Sequence, residues 1–279
     1  MVTADDFGAS DAVNEAIERG HREGVLTAAS LMVTGDAAED ATRRARTMPR
    51  LGVGLHLVLV EGRPALPAAQ LPDLVDRTGC FRTDMARMGV DIFMRPSVRR
   101  QLAAEIDAQF ARFVATGLPL DHVNAHKHFH LHPTIASLLL KIGRRYGMRA
   151  VRAPVEPRAW LRRVEPESAA GFDIATPWAR LLRRRLVVRG LVVPDRVFGL
   201  AWSGGMDAQR LSGLISQLPT GLNEIYLHPA TVNDWRGHAE GYRYRDEFAA
   251  LLDARVLGAV KESGATTGCF ADFGEGEQG

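Results

Sequence analysis

Short apolar runs alternate along this chain with longer stretches whose apolar residues recur at helical spacing. Residues 25–33 and 51–60 are near-continuous apolar runs beside glycine, the pattern of strands buried on both faces. Residues 97–116 set Leu102, Ile106, Phe110 and Phe113 on one side of an amphipathic helix. Ser10 or Asp11 can cap a helix reaching Arg22, with Val13, Ile17 and His21 inward, and 35–47 reads as the next helix. Residues 118–125 follow as a strand, and Pro133 opens a helix ending near Tyr146, proline being favoured in a first turn. Short strands at 148–152 and 223–227 and a last helix over 246–262 complete the pattern. Residues 1–4 supply only the end of a first strand, and the Gly/Glu tail at 274–279 is expected to fray. Repeated strand–loop–helix units predict an α/β fold: one domain over 1–279, a distorted, TIM-like (β/α) barrel. In such barrels the chemistry collects at the C-terminal ends of the strands.

With 279 residues, 46% of them hydrophobic, the chain can bury a full core. Its net charge of +2 hides an asymmetry, because residues 141–200 hold 14 Lys/Arg against 5 Asp/Glu. Cys80 and Cys269 lie far apart with no C-x-x-C partner, which argues against a disulfide framework or a cysteine zinc site and fits a reducing compartment. No secretory leader and no membrane-length apolar run is evident. The expectation is a cytoplasmic protein that does not span a membrane; a homo-oligomer stays open.

Five of the nine histidines fall in the run Asp121-His122-Val123-Asn124-Ala125-His126-Lys127-His128-Phe129-His130-Leu131-His132-Pro133. Were the run extended, His122, Asn124, His126, His128, His130 and His132 would share one face. At ~3.3 Å per residue, one or two of these histidines at most could reach a single ion, leaving the rest to line a pocket or end the strand. Other polar residues stand at expected strand ends: Asp5 and Asp6, His56 inside Gly54-Leu55-His56-Leu57, and His228 before Pro229. Adjacent carboxylates on a regular strand face opposite ways, but at a strand-to-loop transition both can turn inward. Each feature alone has a structural explanation, a helix cap for Asp5-Asp6, a core histidine for His56, a strand terminus for His228. A barrel mouth would bring them together, and such a set suits metal-assisted hydrolysis, with one carboxylate as base and a histidine as acid.

Three spaced motifs carry a resemblance over nearly the whole chain. Thr3-Ala4-Asp5-Asp6-Phe7-Gly8, Gly54-Leu55-His56-Leu57 and His122-Val123-Asn124-Ala125-His126-Lys127-His128-Phe129-His130 resemble the YdjC-like carbohydrate deacetylases. The segments at 22–33 and 54–64 look closest to the hopanoid-biosynthesis branch, HpnK. The resemblance implies a distorted (β/α) barrel related to polysaccharide deacetylases, in which one divalent metal ion helps remove N-acetyl from an amino sugar. Carried over by motif, Asp6, His56 and His126 would be the metal ligands, Asp5 the general base and His228 the general acid. His128 and His130 match the His-rich run and would support the site or face substrate. Arg152, at another expected strand end, could orient a carboxylate, bind sugar, or lie on the surface. One departure stands out: family members carry several apolar residues before the Asp-Asp pair, whereas here the pair sits at positions 5 and 6. Either the chain starts upstream of Met1, or Asp6 hangs on a frayed terminus.

The branch implies an N-acetylglucosaminyl hopanoid as substrate, and a soluble chito-oligosaccharide is the alternative. Residues 178–189 interleave Trp178, Leu181, Leu182, Leu186, Val187 and Val188 with five arginines. Such a stretch could touch an anionic inner membrane face peripherally, or simply form a solvated basic helix face. No nucleic-acid motif accompanies it. Mixed N/O ligation admits zinc, magnesium, manganese, cobalt or nickel, with magnesium and zinc foremost. Two other readings compete with deacetylation, phosphoester hydrolysis and a non-catalytic glycolipid-binding protein.

Overall fold

A computed structural model describes residues 1–167 and 176–274, so the tail expected to fray lies, apart from Gly274, outside the described residues. Six parallel strands form its centre: β1 (Val2–Phe7), β2 (Ala28–Leu31), β3 (Gly52–Leu57), β4 (Val123–Ala125), β5 (Arg196–Phe198) and β6 (Asn223–Leu227). Their order is β4-β3-β2-β1-β6-β5. The segment 150–155 joins the two edges. Val123 N donates to Ala150 O and Arg152 N to Val123 O on one side, and Val197 N donates to Val155 O on the other. The sheet is thereby bent into the distorted, TIM-like barrel that the chain pattern predicts, with the predicted strand at 148–152 present only as isolated bridges.

Side chains alternate along each strand, and the two sets differ chemically. Val2, Ala4, Ala29, Leu31, Val53, Leu55, Leu57, Val123, Ala125, Ile225 and Leu227 belong to the hydrophobic core beneath the helices. The alternate residues Thr3, Asp5, Ser30, His56, Asn124 and Glu224 are polar and equally buried. A core of ordinary apolar packing therefore surrounds a polar interior, which is stable only where its groups find one another.

Three expectations need correction. The first strand is not frayed: β1 lies between β2 and β6, Ile225 N donates to Met1 O, and the Met1 amino group donates to Asn223 O at 2.9 Å. Asp6 is thus held in the middle of the sheet. The His-rich run is not extended either. β4 ends at Ala125, and His126–Leu131 turns as a 3-10 helix with Lys127 and His128 in left-handed backbone (φ 51° and 53°). The shared face of six residues is broken there. The last helix also divides, at Asp253, into Tyr244–Leu252 and Ala254–Ser263.

Helices Met85–Met94 and Ala208–Ile215 lie outside the elements read from the sequence, and Thr176–Val187 falls on the basic stretch for which a helix face is one of two readings. In Met85–Met94 the outer face itself carries Val90, Phe93 and Met94, all exposed, which blurs the apolar stripe. Among the described residues no helix is long and apolar enough to cross a membrane.

Candidate active site

Asp5 and Asp6 both reach the interior because the backbone turns between them. Asp6 has φ 64°, and the β1–β2 register shifts between Ala4 and Phe7. A left-handed non-glycine residue costs on the order of 1–3 kcal/mol, a strain that recurs at functional sites. The turn at Asp6 rotates its carboxylate toward β3 and β4.

Three acceptors converge there. Asp6 Oδ1 lies 3.3 Å from His56 Nε2 and 3.4 Å from His126 Nδ1. His56 Nδ1 sits 2.7 Å from Asn124 Oδ1, an oxygen that can only accept, so Nδ1 carries the proton and Nε2 presents a bare lone pair. His126 Nε2 lies 3.8 Å from Glu61 Oε2, which favours the proton on that nitrogen and leaves Nδ1 toward Asp6. Asp6 Oδ1 and His56 Nε2 are buried and have no hydrogen-bond partner. Lone pairs facing one another at these distances repel unless a cation lies among them. The ligand atoms of Asp6, His56 and His126 lie within 4.8 Å of one another, so the cluster fits a divalent ion held by three protein ligands. Without an ion a proton serves instead: burial alone would lower the His126 ring, but Asp6 and Glu61 raise it to about 9. Burial likewise opposes the Asp6 carboxylate, and the two histidines outweigh it, holding Asp6 well below the usual carboxylate range.

Asp5 stands beside the cluster in a different environment. Arg152 donates to it twice, at 2.6 and 3.0 Å, and Asn124 Nδ2 donates at 3.0 Å. Arg152 is fully buried and also donates to Glu224 Oε1 at 2.7 and 3.0 Å. Burial opposes the Asp5 charge, and the guanidinium overrides it, keeping the carboxylate ionised. One lone pair of Asp5 Oδ2 is left for the cavity.

Across the cavity, His228 follows β6, its backbone N–H donating to the buried Glu247 carboxylate and its Nδ1 3.9 Å from Glu247 Oε2. Burial pushes the Glu247 carboxyl up, with His228 partly offsetting. Tyr226 and Tyr242 pack edge-on against the His228 ring at 5.6 and 5.3 Å. The cavity of about 360 Å³ is lined by Asp5, Asp6, His56, Glu61, His126, His128, Tyr226, His228 and Tyr242, among others. A larger cleft of about 770 Å³ between Ile215 and Phe273 has no titratable side chain in its wall, so volume alone does not locate the chemistry.

The five clustered histidines separate into five environments. His126 joins the acceptor cluster, and His128 lines the cavity with Nε2 3.0 Å from the Tyr226 hydroxyl. His130 is buried behind the wall, 2.9 Å from the Arg152 carbonyl. His132 caps helix Pro133–Gly143 by accepting from Thr134 N, and His122 lies deeper in the barrel. Arg152, too, is walled off from the cavity, facing Asp5 rather than solvent.

Glu61 and Glu247 were not legible in the sequence. Glu61 has φ 52°, and His126 and Lys127 draw its carboxyl down to about 2. A left-handed glutamate before Gly62 leaves no mark that sequence periodicity could register.

Residues 1–262 match the family described as YdjC-like protein. The chain is 36% identical over 280 residues to a chitooligosaccharide deacetylase of Enterobacter sp. strain 638, covering 98% of each chain. It is 30% identical over 277 residues to a carbohydrate deacetylase of Geobacillus stearothermophilus, covering 98% of this chain and 97% of the other. A carbohydrate deacetylase of Brevibacillus brevis is 43% identical over 154 residues, a match spanning 58% of that relative's length. A crystal structure from Enterococcus faecalis V583, described as a candidate cellobiose-phosphate cleavage protein, superposes with a TM-score of 0.76 at 23% identity. That superposition covers 98% of this chain and 97% of the other, and it bears on the fold alone. Motif order, barrel and matched length agree: the chain belongs to the YdjC-like protein family.

Proposed function

We propose that this protein is a metal-dependent hydrolase that removes the N-acetyl group from an amino sugar. The observation that carries the reading is the convergence of ligand atoms from Asp6, His56 and His126, which lie within 4.8 Å of one another and share one cavity with Asp5 and His228. Full-length relatives named as carbohydrate and chitooligosaccharide deacetylases supply the substrate class.

A divalent ion bound by the cluster would polarise the acetyl carbonyl and acidify the attacking water. Asp5, kept ionised by Arg152, takes the proton from that water through its free Oδ2 lone pair. His228, steadied by Glu247 and framed by Tyr226 and Tyr242, gives a proton to the departing amine. His128, on the cavity wall, and the tyrosines contact the sugar. His130 and Arg152 act from behind the wall, His130 on the Arg152 carbonyl and Arg152 on Asp5.

The finer reading of the substrate is an N-acetylglucosaminyl hopanoid. Its support is helix Thr176–Val187, which buries Ala179, Leu182 and Leu186 and exposes Trp178, Leu181 and Val187 beside Arg180, Arg184 and Arg185. An apolar and basic face of this kind suits an anionic bilayer surface. The soluble alternative rests on the relative that is 36% identical, named for chitooligosaccharides. Acetate release from the glycolipid in detergent and from N,N′-diacetylchitobiose, each with and without chelator, tests both. Chelator-sensitive release from either sugar is expected. Release from chitobiose alone discards the lipid, release unaffected by chelator discards the metal, and no release from either overturns the proposed activity.

A further inference from the structure

Behind the cavity, a chain of buried hydrogen bonds runs from the C-terminal segment to the acceptor cluster. Asp121 Oδ1 accepts from Ala271 N at 2.8 Å, and Oδ2 accepts from Phe270 N at 3.3 Å. The same Oδ2 lies 2.8 Å from His122 Nδ1. His122 Nε2 lies 2.9 Å from Ser30 Oγ, which accepts from Asn124 Nδ2 at 2.8 Å. Asn124 then meets Asp5 with its second amide proton and His56 with its oxygen.

The direction of each bond follows from the far end. A carboxylate already accepting two backbone N–H groups receives the His122 Nδ1 proton, so His122 Nε2 is left as an acceptor. Ser30 must therefore donate to Nε2, and its oxygen must accept from Asn124. That fixes the amide of Asn124 with nitrogen toward Ser30 and Asp5 and oxygen toward His56. His56 must in turn carry its proton on Nδ1. We propose that Asp121, His122 and Ser30 are positioning residues that, through Asn124, lock His56 in the tautomer whose Nε2 faces Asp6. Asp5 pulls Asn124 the same way from the near end, so the two carboxylates impose one polarity on the network.

Two features show that space has been cleared for this relay. A Cβ on Gly52 would lie 2.7 Å from Asp121 Cγ, and one on Gly54 would lie 2.6 Å from His122 Nδ1 and Cε1. Phe270 stacks on the His122 ring at 4.2 Å and 19°, sealing it from water. The Asp121–His122–Ser30 contacts match those of a nucleophilic triad, yet Ser30 and His122 are fully buried and no substrate can reach the hydroxyl.

The inference rests on the metal reading only for what the tautomer serves; the tautomer itself is read without metal. In metal-free protein with ¹⁵N-labelled histidine, His56 should show a single Nδ1–H ring pattern. Asp121→Asn should convert it to a mixture of tautomers and weaken zinc binding, measured by calorimetry, about tenfold, within the range for groups that orient metal ligands. Ser30→Ala should produce a smaller shift of the same kind and carries the test alone if Asp121→Asn does not fold. A folded variant that keeps the His56 ring pattern and binds zinc within about twofold of the parent overturns the relay. Failure of the parent to bind zinc overturns the metal reading instead, and leaves the ring pattern to decide the relay.

Discussion

The barrel interior holds two aspartate–histidine groups of nearly the same composition in opposite condition. Around Asp6 the backbone is left-handed, the carboxylate faces two imidazoles across distances that a shared proton or cation must bridge, and buried atoms lack partners. Around Asp121 each polar side-chain atom along the relay has a partner, and glycines on β3 leave it room. Residue type therefore does not distinguish a reactive centre from a structural one here. The balance of donors and acceptors does: a surplus of acceptors calls for a cation, and a matched set holds its neighbours in place.

The contrast can be broken most severely at the carboxylate next to the cluster. Asp5→Asn should lower turnover at saturating zinc about a thousandfold, the scale of a lost general base, while zinc affinity falls no more than about tenfold, the scale of one lost orienting contact; acetate release and calorimetry on one preparation check both. Retained turnover would remove Asp5 from the chemistry, and loss with metal binding intact would dispose of the purely binding reading. Asp6→Asn puts a donor among the acceptors and should weaken zinc binding by at least about a hundredfold, measured by the same titration. Binding close to that of the parent would mean the ion is held elsewhere.

On the matched side, Gly54→Ala forces a methyl against the His122 carbonyl, 2.5 Å away, and its ring. A loss of about 2 kcal/mol in urea unfolding is expected, the usual cost of overpacking. Gly258→Ala, where a Cβ meets nothing within 4 Å, is the control, and equal losses at both positions would deny that the relay is tightly packed.

An effect of similar size concerns pH. Burial pushes the His130 ring down to about 4, with the Arg152 carbonyl only partly offsetting. In the unfolded chain the ring titrates near 6.5, so between these values the unfolded state binds more protons. Stability is lost as pH falls through that window, by about 2 kcal/mol from pH 7 to pH 5. His130→Gln should flatten this limb in urea titrations at the two pH values; an unchanged slope would assign the acid sensitivity to other groups.

Short apolar runs marked 51–60 and 223–227 as strands, observed over Gly52–Leu57 and Asn223–Leu227, and polar residues in or beside the expected strands pointed to Asp5, Asp6, His56 and His228, which a barrel mouth brings together. Strand periodicity and chemical type are properties of neighbouring residues, and the sequence alone determined both. Periodicity did not determine which of the five clustered histidines faces Asp6; the motif resemblance pointed to His126, and the left-handed turn at Lys127 and His128 sets that ring apart from the others. Nor did it connect Ser30 to His122, 92 residues away, or Phe270 to Asp121, 149 away. Whether a buried lone pair finds a donor is settled by groups brought together from distant parts of the chain, and only the tertiary structure decided that.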